Sequence, residues 1–427
     1  MARYPEAVLQ YAWLSRQFDA EELLTTDEQP VEIIRPGVQN PDQGPDFLQA
    51  HIRIGPVDWH GHVEIHVDGN DWFAHEHHAD PNYNNVILHV VDTLGKRVPQ
   101  RADGSCIPEI SLGERLNPHF LERYDFLMQN DASIACSSLV NNVPSPVRLQ
   151  ALEKAGWERM ISRIEAFEEE LRRLGYLWEE LIWVQLMGAL GGKVNKQSFQ
   201  EIAHRLPYRV LSRYREQPQQ LEALLLGTAG LLQQPTLDDE PYVLRLREDW
   251  QHLARKHAID PLQPDQIKYG RLRPANFPDL RLAQAAAFVQ LMPGLLQLTA
   301  EVEQIPGQAK LVLPTDYWLT HYRLGRPSRK RMKAMGKSFL NNLMINCFVP
   351  MAFLYYKTLD RPAEMQRVFE LLQSLPKESN RITRQYDELG FGMASAYDSQ
   401  AAIELHRHYC QPRRCVDCPI GQHIFGQ

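Results

Sequence analysis

The chain has 427 residues, 44% apolar and 23% charged, which excludes a disordered, collagenous or disulfide-scaffold protein and allows two or three domains. No apolar run reaches the roughly 18 residues of a membrane helix, and the first residues lack a signal-peptide pattern, so a cytoplasmic protein without a membrane partner is expected. A net charge of −7 confines any nucleic-acid binding to a local basic patch.

Residues 5–24 read as a helix, because Val8, Leu9, Ala12, Trp13 and Phe18 form a stripe near the 3.6 period. Val31 to Ile34 reads as a strand, and Pro36-Gly37 and Asn40 to Pro45 as turns. A second strand covers Phe47 to Ile54, with Leu48, Ala50, Ile52 and Ile54 alternating against Gln49, His51 and Arg53. A third runs from about Val57 to Val67. Val86 to Val91, apolar except for His89, suits a central strand covered on both faces. After about residue 145 the pattern is helical. Ser145-Pro146 is a helix start, and segments follow at 177–190, 196–206, 219–233, 240–257, 279–291, 337–358, 362–374 and 399–409. The one strand signal there is at 310–313. Gly188-x-x-Gly191-Gly192-Lys193 follows an apolar helix and reads as a helix end, not a phosphate loop. The expected class is α+β: an N-terminal domain, 1–140, with a mixed sheet and flanking helices, then a mostly helical domain, 141–427.

The chemistry concentrates between Gly44 and Val91. Strand alternation over 59–67 sends Trp59, Val63, Ile65 and Val67 inward and His60, His62, Glu64 and His66 to the other face. Glu64 and His66, with Asp46 at the mouth of the neighbouring strand, form an oxygen and imidazole set for Mg²⁺ or Mn²⁺, with the imidazole moving preference toward manganese or zinc. His66 is alternatively the group that orients or deprotonates water. The following loop adds His75 and His77 as ligands or proton carriers and Tyr83 as a phosphate hydrogen-bond donor. An ordinary solvated polar strand face is the competing reading.

Gly44-Pro45-Asp46-Phe47, Val63-Glu64-Ile65-His66, Asp71-Trp72 with His75 and His77, and Val86 to Val91 resemble a bacterial family known only as a long domain of unknown function. The resemblance extends to Leu225-Gly227-Gly230-Leu231-Leu232, to Arg273-Pro274-Asn276-Phe277-Pro278 and to the C-terminal cysteines. More remotely, residues 5–95 resemble the PD-(D/E)xK phosphodiesterase superfamily. That resemblance implies a restriction-endonuclease-like sheet, with Asp46 and Glu64 as the metal-binding acids. His66 stands where that superfamily carries lysine, which leaves open an altered metal preference or an inactive relative.

Cys410-x4-Cys415-x2-Cys418-Pro419 is the second constellation, since thiolates at this spacing can wrap one metal centre, an iron–sulfur cluster or zinc. Cys136 is the first choice for a fourth ligand, before His408 and His423. Cys106 and Cys347 read as small buried residues. Residues 321–337 carry seven Lys/Arg and no acid: Arg323, Arg326, Arg329, Lys330, Arg331, Lys333 and Lys337. Such a stretch can grip nucleic-acid phosphates, or it can be a solvated helix entrance. Arg271, Arg273 and Arg281 form a weaker second group. These readings lead to a metal-dependent phosphodiesterase acting on DNA or RNA. The alternatives are a non-catalytic binding module with structural metal and a hydrolase of a small phosphorylated metabolite.

Overall fold

Helix α1 (Glu6–Ser15) buries Val8, Leu9, Tyr11, Ala12 and Trp13 and stops well before residue 24. The cause is Arg16, which takes the left-handed conformation (φ 55°) and ends the helix as a C-terminal cap. Phe18 lies beyond that end and stacks on Trp13. The computed structural model describes residues 4–233, 240–291, 294–308 and 312–427.

A six-stranded mixed sheet follows: β1 (Val31–Arg35), β2 (Val38–Gln39), β3 (Phe47–Ile54), β4 (Val57–Asp68), β5 (Val86–Thr93) and β6 (Glu109–Ser111). The order is β1-β3-β4-β5-β6, with β2 also on β3. The pairs β1–β3 and β3–β4 are antiparallel, while β4–β5 and β5–β6 are parallel. Parallel pairing needs a crossover, and β4 and β5 are joined by the short helix α2 (Asp71–Ala74) and two 3₁₀ turns. Every residue from Val86 to Val91 is buried, as its apolar run requires.

Strict alternation fails on β3. Phe47 pairs with Val63 and Ala50 with Gly61, so one extra residue is accommodated between them. Gln49 supplies it, as a bulge with φ at 56°. Phe47, not Leu48, therefore joins Ala50, Ile52 and Ile54 among the buried side chains. Trp59 is not inward either. It sits on the protruding start of β4 and is 37% exposed.

The chain divides into two compact units, one built from 1–154, 384–391 and 402–427, the other from 155–383 and 392–401. The C-terminal segment therefore folds with the sheet rather than with the helical unit, whereas the sequence boundary at 140 groups it with the helices. In the first unit α3 (Pro118–Gln129) places Phe120 against Tyr11 and Phe425. The boundary between units falls within α4 (Ser145–Arg173).

The second unit is helical, with helices over Trp178–Arg205, Pro218–Thr228, Pro241–His257, Pro278–Leu291 and Pro362–Ser374 among others. The Gly192 backbone (φ 60°, ψ −160°) breaks the first of these, consistent with a helix end there. The strand signal at 310–313 lies partly outside the described residues. One helix, Lys337–Thr358, is long and apolar enough to cross a membrane by length and composition, and 67% of its most apolar window is buried.

Candidate metal centre

β4 carries the site because it is long. Its exposed first half holds His60, stacked on His51, and His62, whose Nδ1 accepts from the Gln49 amide. At about 3.3 Å per residue His60 lies about 13 Å along the strand from Glu64, and the half-buried His62 has its ring turned to the Gln49 amide. In the second half of the strand Glu64 is 5% and His66 2% exposed. The polar face is thus covered rather than solvated, and α1 and the α2 loop supply the cover.

Asp46, immediately before β3, is fixed from three sides. Its amide donates to Glu64 Oε2 (3.0 Å), the Ile65 amide donates to its Oδ2 (3.0 Å), and Gln10 of α1 donates to its Oδ1 (2.9 Å). Gln10 also donates to Glu6 one turn earlier (3.1 Å), which adds a third carboxylate to the rim. On the other side, Glu64 Oε1 lies 3.5 Å from His66 Nε2 and 3.4 Å from His77 Nε2, and His75 Nδ1 lies 3.3 Å from His66 Nε2. Ligand atoms about 2.0–2.1 Å from one tetrahedral ion would be spaced about 3.3 Å apart, so these separations match a single ion. His66, His75 and His77 bring their ligand atoms within 4.8 Å of one another and could hold a metal. His77 Nε2 is buried and makes no hydrogen bond, with the Glu64 carboxylate beside it. Tyr83 stacks on His77 (3.8 Å between centroids), and the fully buried Trp72 sets its edge against both rings.

Behind His66 runs a buried chain. His66 Nδ1 meets His89 Nε2 at 2.8 Å, and His89 Nδ1 meets Glu109 Oε1 at 2.9 Å. A carboxylate can only accept, so His89 Nδ1 carries a proton toward Glu109. In neutral His89, Nε2 then accepts from His66 Nδ1, which leaves a lone pair on His66 Nε2 facing Glu64, His75 and His77. A backing carboxylate that fixes a ligand histidine in this way is the usual outer support of a metal site.

The electrostatics agree. Burial pushes Asp46 up to about 7, with the nearby Glu64 charge adding to it, and burial pushes Glu64 up to about 8. Burial, reinforced by the surrounding histidines, drives His66 down to about 2 and keeps it neutral. Tyr83 is raised to about 12, by burial first and then by Glu64 and Asp46. A divalent cation would relieve the two carboxylates, and neutral imidazoles are the form that binds one.

Of the residues read from sequence, the structure brings Asp46, Glu64, His66, His75, His77 and Tyr83 together. Glu6, Gln10, His89 and Glu109 escape a sequence reading. Their one signal is polarity where neighbours are apolar, as for His89 in its strand and for Glu6 and Gln10 four apart on an apolar helix.

All six cysteines are free, and Cys106 is exposed, not buried, in a surface turn. Cys415 and Cys418 are buried, Cys136 and Cys410 half-buried. Arg413 donates to the Asn130 carbonyl, and Asn130 donates to Ala135 (2.7 Å), which ties the Cys136 turn to the 410–418 loop. Tyr386 Oη lies 3.3 Å from Cys410 Sγ.

The basic stretch is a short hairpin (His321–Arg323 with Arg326–Pro327) leading to the helix at Lys337. Arg326, Arg329, Lys330, Arg331 and Lys337 are exposed. Lys333 is not available: it is 4% exposed, donates to the Leu319 carbonyl (2.9 Å) and lies over the Tyr322 ring. Arg323 covers Tyr269 at 4.0 Å. Arg281, of the weaker group, is buried over Phe339 and donates to Gln284 (2.7 Å).

Fold and site together define an α+β protein with a carboxylate–histidine centre in its N-terminal sheet. The chain belongs to the family described as protein of unknown function (DUF2851), whose model matches residues 6–381. That span includes the histidine centre and Cys136 and ends before Cys410, Cys415 and Cys418. No curated protein and no solved structure matches the chain.

Proposed function

We propose that the first unit is a metal-dependent phosphodiesterase acting on DNA or RNA. The observation that carries this is the convergence of Glu64 with three imidazoles at spacings fit for one ion, with Asp46 bonded to Glu64 through its backbone amide. The order α1-β1-β3-β4-α2-β5, with acids at the start of β3 and within β4, supports the remote PD-(D/E)xK resemblance. His66, His75, His77 and Glu64 would hold the ion, with Asp46 beside them. Imidazole-rich ligation favours Mn²⁺ or Zn²⁺ over Mg²⁺. When bound, such an ion polarises a phosphate oxygen and makes water a better nucleophile.

The protein's own groups have separable tasks. Gln10 and the Ile65 amide hold Asp46, the His89–Glu109 pair orients His66, and Tyr83 braces His77. His75 is the exposed member, and with its Nδ1 turned to His66 its Nε2 faces outward, where it can pass a proton. The exposed arginines and lysines of 326–337 supply phosphate contacts. The four thiols form a second metal-binding centre. The deep burial of Glu64 and His66 favours, as a second reading, a binding module whose metal is structural.

The test is cleavage of single- and double-stranded DNA and RNA with Mn²⁺, Zn²⁺ or Mg²⁺, comparing wild type with Glu64→Gln. Cutting that needs metal and drops at least a hundredfold in the variant is expected. Absence of cutting with every metal, while the ion binds tightly, would transfer the case to the binding module.

A further inference from the structure

Four thiols from two distant stretches meet in the first unit. Cys136 lies in a turn whose Leu139 and Val140 amides return to the Cys136 carbonyl (2.9 and 2.8 Å). The other three lie on the 410–418 loop, which Arg413 joins to the Cys136 turn through Asn130. Lys154 holds the far side through the Asp417 carbonyl (2.9 Å), and Gln422 through the Val416 carbonyl (2.8 Å). Cys136 is close enough to feel the charges of Cys410, Cys415 and Cys418, and Cys410 those of the other two loop thiols. This is a built pocket of sulfur, without a disulfide, in the interior of the unit.

Two observations say what it takes. First, four thiolates about 2.3 Å from one zinc ion lie about 3.8 Å apart. Among the described residues, the group of three or more ligand atoms all within 4.8 Å of one another is the histidine trio, so no three of these thiols are drawn together as tightly as one zinc ion requires. Second, Arg413 Nη1 is buried without a hydrogen-bond partner beside these thiols. A guanidinium with one nitrogen bound to the Asn130 carbonyl and another buried and unbonded beside four potential thiolates suits an anionic centre larger than one ion.

We propose that Cys136, Cys410, Cys415 and Cys418 together ligate an iron–sulfur cluster. The cluster adds a second tie between the Cys136 turn and the C-terminal loop beside the Arg413–Asn130 bond, and Arg413 offsets its negative charge. This goes beyond the phosphodiesterase reading and does not depend on it.

The test is anaerobic purification of the full chain, reconstituted with iron and sulfide, followed by assay of iron, acid-labile sulfide and zinc. Expected are iron and sulfide in equal number, with a broad visible absorbance that dithionite bleaches. Cys136→Ser should lose most of that absorbance, while Cys106→Ser keeps it. Alkylation of native and metal-stripped wild type gives the same answer without a variant: Cys136, Cys410, Cys415 and Cys418 should label only after stripping. Zinc without sulfide, no metal after reconstitution, or full iron content in a folded Cys136→Ser protein would each overturn the proposal.

Discussion

Two ring nitrogens govern what the histidine cluster can do. His66 Nε2 has its lone pair directed at the site by His89 and Glu109, and His77 Nε2 is buried beside the Glu64 carboxylate without forming a hydrogen bond. Replacing Glu109 by Gln keeps the shape and removes the charge that selects the tautomer. Affinity for Mn²⁺ or Zn²⁺, measured by chelator competition, should fall about 10- to 100-fold, while His66→Ala abolishes binding. The acids give a second expectation. Without metal, the folded protein holds Asp46 near 7 and Glu64 near 8, above the roughly 3.9–4.3 of an unfolded chain. Between those limits the folded acids bind more protons. Below about 6.5 the depressed His66 offsets part of this, because there the unfolded state binds its proton; above 6.5 the acids act alone, so stability falls as pH rises from about 6.5 to about 8. Thermal unfolding of chelated protein across that range should show a declining Tm, and added metal should reverse the decline. Residues 64, 66, 75 and 77 were legible because strand alternation and loop position announce them. Glu109 and Glu6 were not, since only tertiary packing turns them toward the site.

At the scale of elements, the informative departure is the bulge at Gln49. With Ala50, Ile52 and Ile54 inward, unbroken alternation would place residue 46 on the same face as Ala50, opposite to Glu64. The extra residue rotates the strand start, so that Phe47 lines up with Val63 and Asp46 with the Glu64 face. Removing Gln49 should therefore leave helical content by circular dichroism nearly intact but weaken metal binding, since Asp46 no longer supports Glu64. Gln49→Gly, which relieves a left-handed backbone, should stabilise the protein by about 1 kcal/mol in urea unfolding with binding unchanged. Bulges are hard to read from sequence because glutamine announces none. Helix boundaries were easier: Pro241, Pro278 and Pro362 each open a helix, where proline lacks no needed donor.

At the scale of the whole molecule, composition and periodicity were enough for the α+β class and the change to helices near 145. They could not show that the chain returns to its first unit, because long-range closure leaves no periodic trace. The basic hairpin in the second unit tests the partner. Changing Arg329, Lys330 and Arg331 together to Ser should weaken nucleic-acid binding for all sequences and reduce the log–log salt slope by up to about three. Lys333→Ser should instead cost stability, since that ammonium is committed to the Leu319 carbonyl.

The return of 402–427 also sets a clock on synthesis. Phe425 is the ring that closes over Tyr11 and Phe120, yet it is synthesised long after the sheet that ends at Ser111. Translation at about 5–20 residues per second puts roughly 16–63 s between completion of the sheet at Ser111 and arrival of Phe425. During that interval the aromatic face of α1 and α3 is bare, and a chain stopped near residue 401 would keep it bare indefinitely. Such a chain would be the natural client of a holding chaperone. Bound dye fluorescence from stalled, released chains should exceed that of the full-length protein.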